Sequence, residues 1–281
     1  LETIMRASRA ATSAVLGLAL AAGTLCQIHP VGAAGVLLRY KFVLGQTARY
    51  QVSLHLTGSI DLGVVQKLNI VQQMSYTQKV AKLYPDGSAD IVSSFGKGTT
   101  TTNGVSAPLD PGLAVTTERL SSNGAVLGSK TSGAAAPSAS GLGNVSVSPT
   151  TVTPTFPSLP VSTGSTWSGA QSISVSGFSI VGKQSSKVVS LSQQGGHQVA
   201  LIASTAKAPL SVTQSGAQIT GTLKGTTATQ FDADAGLLVS IHGNVAVVAT
   251  LGVPGATPDP STTAQAGGIT LNEKIDIVRQ K

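Results

Sequence analysis

From Val36 onward, apolar and polar positions alternate. Val36, Leu38, Tyr40 and Phe42 fall on one side of an extended chain, with Arg39 and Lys41 on the other; this is the period-two pattern of a half-buried antiparallel strand. After a turn at Gly45 the alternation resumes, with Tyr50, Val52, Leu54 and Leu56 set against Gln51, Ser53, His55 and Thr57. Beyond the Gly58 to Gly63 region a longer strand is predicted. Leu68, Ile70, Met74, Tyr76 and Val80 point inward and Gln72 and Gln78 interrupt the inner face. Tyr84-Pro85-Asp86-Gly87-Ser88 is the strongest turn signal, because proline presets one dihedral and glycine takes the positive φ a hairpin loop demands. Ala89, Ile91, Ser93 and Phe95 then return antiparallel. A polar loop is expected from Lys97 to Asn103-Gly104, then a turn at Pro108 to Gly112, a strand from Ala114 to Leu120, and a hairpin at Asn123-Gly124 into Ala125 to Ser129.

The second half follows the same outline. Phe156-Pro157-Ser158-Leu159-Pro160-Val161 leads to a turn at Gly164, and Trp167 opens a strand much as Tyr50 does after Gly45. Because the two glycine-to-aromatic spacings differ by two, both aromatics are expected on the same face, with Trp167 the buried counterpart of Tyr50. Lys187 to Ser192, a hairpin at Gln194-Gly195-Gly196, a long strand from Ile219 to Phe231, a turn at Asp232 to Gly236 and a return to Val248 complete the parallel. From opening glycine to last turn glycine is 79 residues in the first half (Gly45 to Gly124) and 72 in the second (Gly164 to Gly236). A duplicated unit fits these intervals, and so do two independent meanders with glycine turns at ordinary spacing. Ile269, Leu271, Ile275 and Ile277 mark a final strand. The fold class predicted is all-β: an antiparallel sandwich or half-barrel, or barrel, built from two similar β-meander halves.

Ahead of this pattern, Arg6 and Arg9 precede an apolar run from Ala10 to Cys26 and a small-residue patch, Val31-Gly32-Ala33-Ala34, the layout of a secretory signal peptide. Cleavage after Ala34 is expected, giving a soluble exported chain with no transmembrane span. An uncleaved anchor is the bland alternative, but the run is shorter than the roughly 20 residues a spanning helix needs. A lipid-anchored reading would use Cys26, but Leu25 stands where that signal takes a small residue. Residues 131–155 are Gly, Ala, Ser, Thr and Pro without period, as in a linker or surface excursion. The division expected is therefore 1–34 signal peptide, 35–130 first half, 131–155 linker and 156–281 second half.

Composition narrows the chemistry. Only 10% of the 281 residues are charged and 4% aromatic, so the interior must be Val, Leu, Ile and Ala. Cys26 is the one cysteine, and a chain cleaved after Ala34 would have no disulfide, cysteine metal site or thiol nucleophile. The formal charge of +7 is spread singly without interleaved aromatics, which argues against a nucleic-acid partner. Solubility, or attraction to an anionic envelope surface, accounts for it.

Four stretches together, Phe42-x-x-Gly45 with Tyr50, Tyr84-Pro85-Asp86-Gly87, Phe156-Pro157-x-x-Pro160-Val161-x-x-Gly164-x-x-Trp167, and Phe231-Asp232-x-x-x-Gly236-x-Leu238, resemble exported bacterial β-rich proteins of unknown function. The resemblance spans most of 36–130 and 155–279. It implies location and architecture, and it carries over no site residue.

No catalytic constellation appears. Serines abound, but none lies in Gly-x-Ser-x-Gly. His55, His197 and His242 are isolated, each expected to be a solvated strand or turn residue, and none has zinc-ligand spacing. Asp232-x-Asp234-x-Gly236 opens like a calcium loop but lacks the later oxygen ligands and the distal glutamate. Asp86 and Asp90 flank a hairpin in the same way. Gly96-Lys97-Gly98-Thr99 has phosphate-loop letters without the spacing, and Leu159 to Gly164 resembles a sortase signal with one residue too many. No catalytic, cofactor-binding or metal residue is assigned, and no cofactor is expected. The expectation is an exported, non-catalytic cell-envelope or surface protein with a structural or binding role. The alternative is a carrier of a lipid or other apolar ligand within the β-core. The possible partners are accordingly an apolar ligand or an envelope component.

Overall fold

The computed structural model describes residues 35–61, 64–110, 112, 114–133, 154–175, 178–214, 217–252 and 267–280. The expected leader, 1–34, and all but the ends of the expected linker lie outside the described residues.

The described chain contains no helix and forms twelve strands: β1 (Thr47–Asp61), β2 (Val65–Leu83), β3 (Ala89–Thr102), β4 (Val105–Leu109), β5 (Val115–Leu120), β6 (Val126–Ser132), β7 (Thr166–Val175), β8 (Phe178–Gln194), β9 (His197–Gln214), β10 (Ala217–Asp232), β11 (Leu237–Gly252) and β12 (Gly267–Arg279). All pairings are antiparallel, in one open sheet ordered β6-β5-β3-β2-β1-β12-β11-β10-β9-β8-β7, with β4 paired to β3 at its far end. The all-β, antiparallel expectation holds.

Alternation fixes the inner face. Tyr50, Val52, Leu54 and Leu56 are buried on β1, as are Ile269, Leu271, Ile275 and Ile277 on β12, while the intervening residues face outward. With no helix or second sheet among the described residues, the sheet covers these side chains by curling. Two adjacent residues show the curl directly. Tyr40 N–H donates to Ser122 O in the β5–β6 turn, and Lys41 N–H to Gly236 O in the β10–β11 turn. Those turns lie five strands apart in the sheet order, about 24 Å on a flat sheet at ~4.8 Å per strand.

Two departures from the sequence reading concern what counts as strand. Residues 36–42 keep the expected alternation, with Leu38 fully buried and Leu37 exposed, but they form a strap across one end of the sheet, with a single bridge between Val36 and Val161. Conversely, the polar stretch after Lys97 is strand, not loop. β3 runs on to Thr102, then turns through Asn103 (φ +49°) and Gly104 (φ +89°) into β4. A run of β-branched threonines suits a two-sided solvated ribbon, and Pro108 is tolerated because β4 is an edge.

Both strand openings are clamped alike. Gly45 N–H donates to Val80 O, Val80 N–H to Gln46 O, and Gln46 N–H to Val43 O; in the second half Gly164, Val188, Ser165 and Ser162 repeat all three bonds. A bulge follows Val80 on β2 and Val188 on β8, and another falls at Leu127 on β6, opposite Arg119 and Leu120, and at Val239 on β11, opposite Gln230 and Phe231. Thr47 pairs with Lys79 as Thr166 pairs with Lys187. This register corrects one expectation: counted from the glycine clamp, Trp167 matches Ala48, and Gly169 falls where Tyr50 stands. Trp167 is half-buried at the margin of a cluster, its indole N–H donating to Thr155 O at 3.0 Å.

Candidate functional site

Polar groups come together around a space both inside the curl and on its outer surface. Inside, beneath the strap, Tyr40 stacks on Phe42 (centroids 5.8 Å apart) and on Phe156 (5.5 Å) and meets Phe231 edge-on (5.2 Å). Beside this aromatic lid, Tyr40, Phe42, Gln46, Ala48, Tyr50, Gln78, Val80 and Leu238 border a space of about 40 Å³, room for water-sized guests only. Burial raises the Tyr50 phenol to about 12 and holds Tyr40 and Tyr76 well above the ordinary tyrosine value. These hydroxyls remain protonated hydrogen-bonding groups. Tyr76 Oη donates to Ser93 Oγ at 3.1 Å and accepts from Gln78 Nε2 at 3.1 Å.

Glu118 adds an acid to this end of the interior. It pairs with Ile91 across β3–β5, so its side chain shares the inner face, where it is 1% exposed and its Oε1 has no hydrogen-bond partner. Burial pushes its carboxyl up to about 7. Nothing in its sequence context distinguishes Glu118 from a surface residue; only the register between β3 and β5 turns it inward. A carboxyl so perturbed is a candidate acid or base, yet the small space at this end of the interior admits no substrate.

On the outer surface, His55 and Thr57 of β1, Asn272 and Lys274 of β12, Asn244 and Ala246 of β11, and Lys224 and Thr226 of β10 line a shallow cleft of about 350 Å³. The registers Thr57↔Asn272↔Ala246↔Lys224 and His55↔Lys274↔Asn244↔Thr226 make these two adjacent outward rows. His55 Nε2 lies 2.9 Å from Asn69 Oδ1. Asp276 binds Lys274 Nζ at 3.2 Å and His242 Nδ1 at 2.9 Å. Its partial burial opposes ionisation, but the bonds from His242 and Lys274 prevail and hold the carboxyl below its ordinary value. The cleft is rich in ammonium, amide and hydroxyl groups, and the buried Glu273 also borders it. It was missed in the sequence because its residues come from strands far apart in the chain.

The remaining sequence candidates are structural. Asp232 caps its own turn, accepting from Ala235 N–H, and lies 3.0 Å from His197 Nδ1; Asp234 accepts from Gln198 N–H. Asp86 accepts from the Ser88 hydroxyl and amide and from Arg119, which together hold its carboxyl below the ordinary value. Asp90 accepts from Tyr84 Oη. Gly98 of the phosphate-loop-like stretch lies within β3. No grouping of three metal-ligating side chains occurs among the described residues. No family model, curated protein or solved structure matches this chain.

Proposed function

We propose that this protein is an exported, non-catalytic β scaffold of the cell envelope or cell surface, binding through the outer face of its sheet. The observation that carries this reading is the contrast between the two faces. The inner face is filled mainly with apolar side chains and leaves about 40 Å³, whereas the larger concavity, about 350 Å³, lies outside among polar groups. A lipid-embedded barrel has the opposite polarity, apolar outward. Export rests on the basic, apolar and small-residue order of residues 1–34. The intact mass of the secreted form tests it. A chain beginning at or near Gly35 is expected, and one beginning at an acylated Cys26 would replace the soluble reading with a membrane anchor.

The alternative, an apolar carrier, needs a cavity of about 300–1,000 Å³, which requires the strap of residues 36–42 to lift. Its aromatic lid closing over a small residual space is what keeps the idea in play. Solvent extraction and mass spectrometry of protein purified from its native envelope separate the two. A stoichiometric co-purifying lipid overturns the scaffold reading in favour of the carrier, and none is expected.

A further inference from the structure

Strands β8, β9 and β10 contain Lys183, Lys187, Lys207 and Lys224, and their one acidic residue is Asp232, at the last position of β10. Three of these lysines are in direct register: Lys183 opposite Lys207, and Lys207 opposite Lys224. Directly opposed residues project to the same face, and all three are exposed. No carboxylate lies within ion-pair distance of any of them among the described residues. Like charges directly opposite one another destabilise a sheet. Three ammonium groups side by side on neighbouring strands are therefore a local cost that no ion pair among the described residues offsets.

The row does not end at Lys224. It continues through Ala246 to Asn272 and Thr57, which are walls of the outer cleft. A linear anion laid across the strands would meet three cations at steps of about 4.8 Å and then amide and hydroxyl groups suited to uncharged oxygens. We infer that the lysine row and the cleft form one binding surface for an acidic polysaccharide. The sugar's acid groups pair with Lys183, Lys207 and Lys224, and its hydroxyls bond to Asn272, Asn244 and Thr57. Single-stranded nucleic acid is the poorer fit, because the described residues of this surface offer no aromatic side chain on which a base could stack. Lys274 contributes less, since Asp276 already holds it. The inference rests on the outer-face binding reading and names its partner.

Polygalacturonate, with one carboxylate per sugar, is the probe. Binding to the full chain is measured by calorimetry at low and physiological salt, with dextran and a single-stranded oligonucleotide as comparisons. The triple variant Lys183→Gln/Lys207→Gln/Lys224→Gln is expected to lose at least about tenfold in affinity. Its melting temperature should equal or exceed that of wild type, since a repulsion is relieved. Lys67→Gln/Lys79→Gln/Lys130→Gln removes the same charge from exposed positions on β2 and β6 and should change affinity less than threefold. Equal losses in both triples would reduce the effect to net charge and overturn the inference, as would absent binding or oligonucleotide binding as tight as polygalacturonate. If polygalacturonate fails while wild-type protein still retains another envelope component, the scaffold reading survives and this partner does not.

Discussion

Glu118 provides the sharpest test of the interior. Its carboxyl sits on the inner face with Oε1 unpartnered, and burial moves it from an ordinary value of 4.5 to about 7. Below pH 4.5 the acid is neutral in both folded and unfolded chains and carries no linkage. Between pH 4.5 and 7 the unfolded chain releases its proton first. The folded state then binds the extra proton, so stability falls as pH rises and levels off above 7. At 1.36 kcal/mol per pH unit the full penalty has a ceiling of about 3 kcal/mol, and relaxation and water entry around the ionised carboxylate bring the expectation to about 1–2 kcal/mol. The perturbation is Glu118→Gln, which keeps the shape and removes the titration. Urea unfolding of wild type and variant at pH 5 and pH 8 gives the difference, and the pairs His197–Asp232 and His242–Asp276 cancel because both proteins contain them. The variant should be more stable than wild type by about 1–2 kcal/mol at pH 8 and nearly equal to it at pH 5. A difference independent of pH, or a variant less stable at pH 8, would refute the claim that a buried carboxylate is being forced to ionise.

Phe231 is fully buried, with its ring 4.5 Å from Phe156 and 5.2 Å from Tyr40. Phe231→Ala should cost about 3–5 kcal/mol in chemical denaturation, and a loss under 1 kcal/mol would mean the strap is not packed on it. Trp167→Ala should cost clearly less, about 1–2 kcal/mol, because the ring is half-buried. Native tryptophan emission should lie between buried and solvated limits, and a fully blue-shifted spectrum would restore the expectation of a sealed core residue. Gly45 and Gly164 hold φ of +79° and +89° in matching clamps with open space where a Cβ would go. Alanine at either should therefore cost about 1–2 kcal/mol from backbone strain alone. The two costs should agree within about 0.5 kcal/mol and add in the double variant; one costly and one neutral would show that the clamps are not equivalent.

Much of the fold was legible because burial in a one-faced sheet has a period of two, and this chain keeps that period wherever it packs. Tyr50 to Leu56 and Ile269 to Ile277 announce their inner face residue by residue. The turns at Gly87, Gly124 and Gly236 were visible because positive φ selects glycine. Alternation alone does not say whether a segment joins the ladder. Residues 36–42 alternate as a strap, because their apolar side fills the open end of the curl, and the threonines of 99–102 form strand while lacking an apolar face. Trp167 was misplaced for a related reason. Matching it to Tyr50 used aromatic type as the landmark, whereas the hydrogen bonds at Gly45 and Gly164 set the frame two residues earlier.

The site was hidden for a deeper reason than the strands were. Lys183, Lys207 and Lys224 are single lysines separated by 24 and 17 residues, and no periodicity within one strand relates them. They meet because two hairpins hold their strands in a particular register, and a one-residue slip in either would carry a lysine from the outer face to the apolar inner one. Gly221 bears on the next pairing along the row, that of β10 with β11: a Cβ there would meet the backbone of Val248 and Ala249, so β11 approaches β10 closely only while glycine faces it. On β9, Pro209 lies two positions beyond the last β8–β9 pair, Lys183↔Lys207, where a missing N–H costs that ladder nothing. Burying Leu223 and Leu210 on the inner face therefore commits Lys224 and Lys207 to the outer one. The apolar core places the charges, and the repulsion among them is the part of the arrangement that packing does not require.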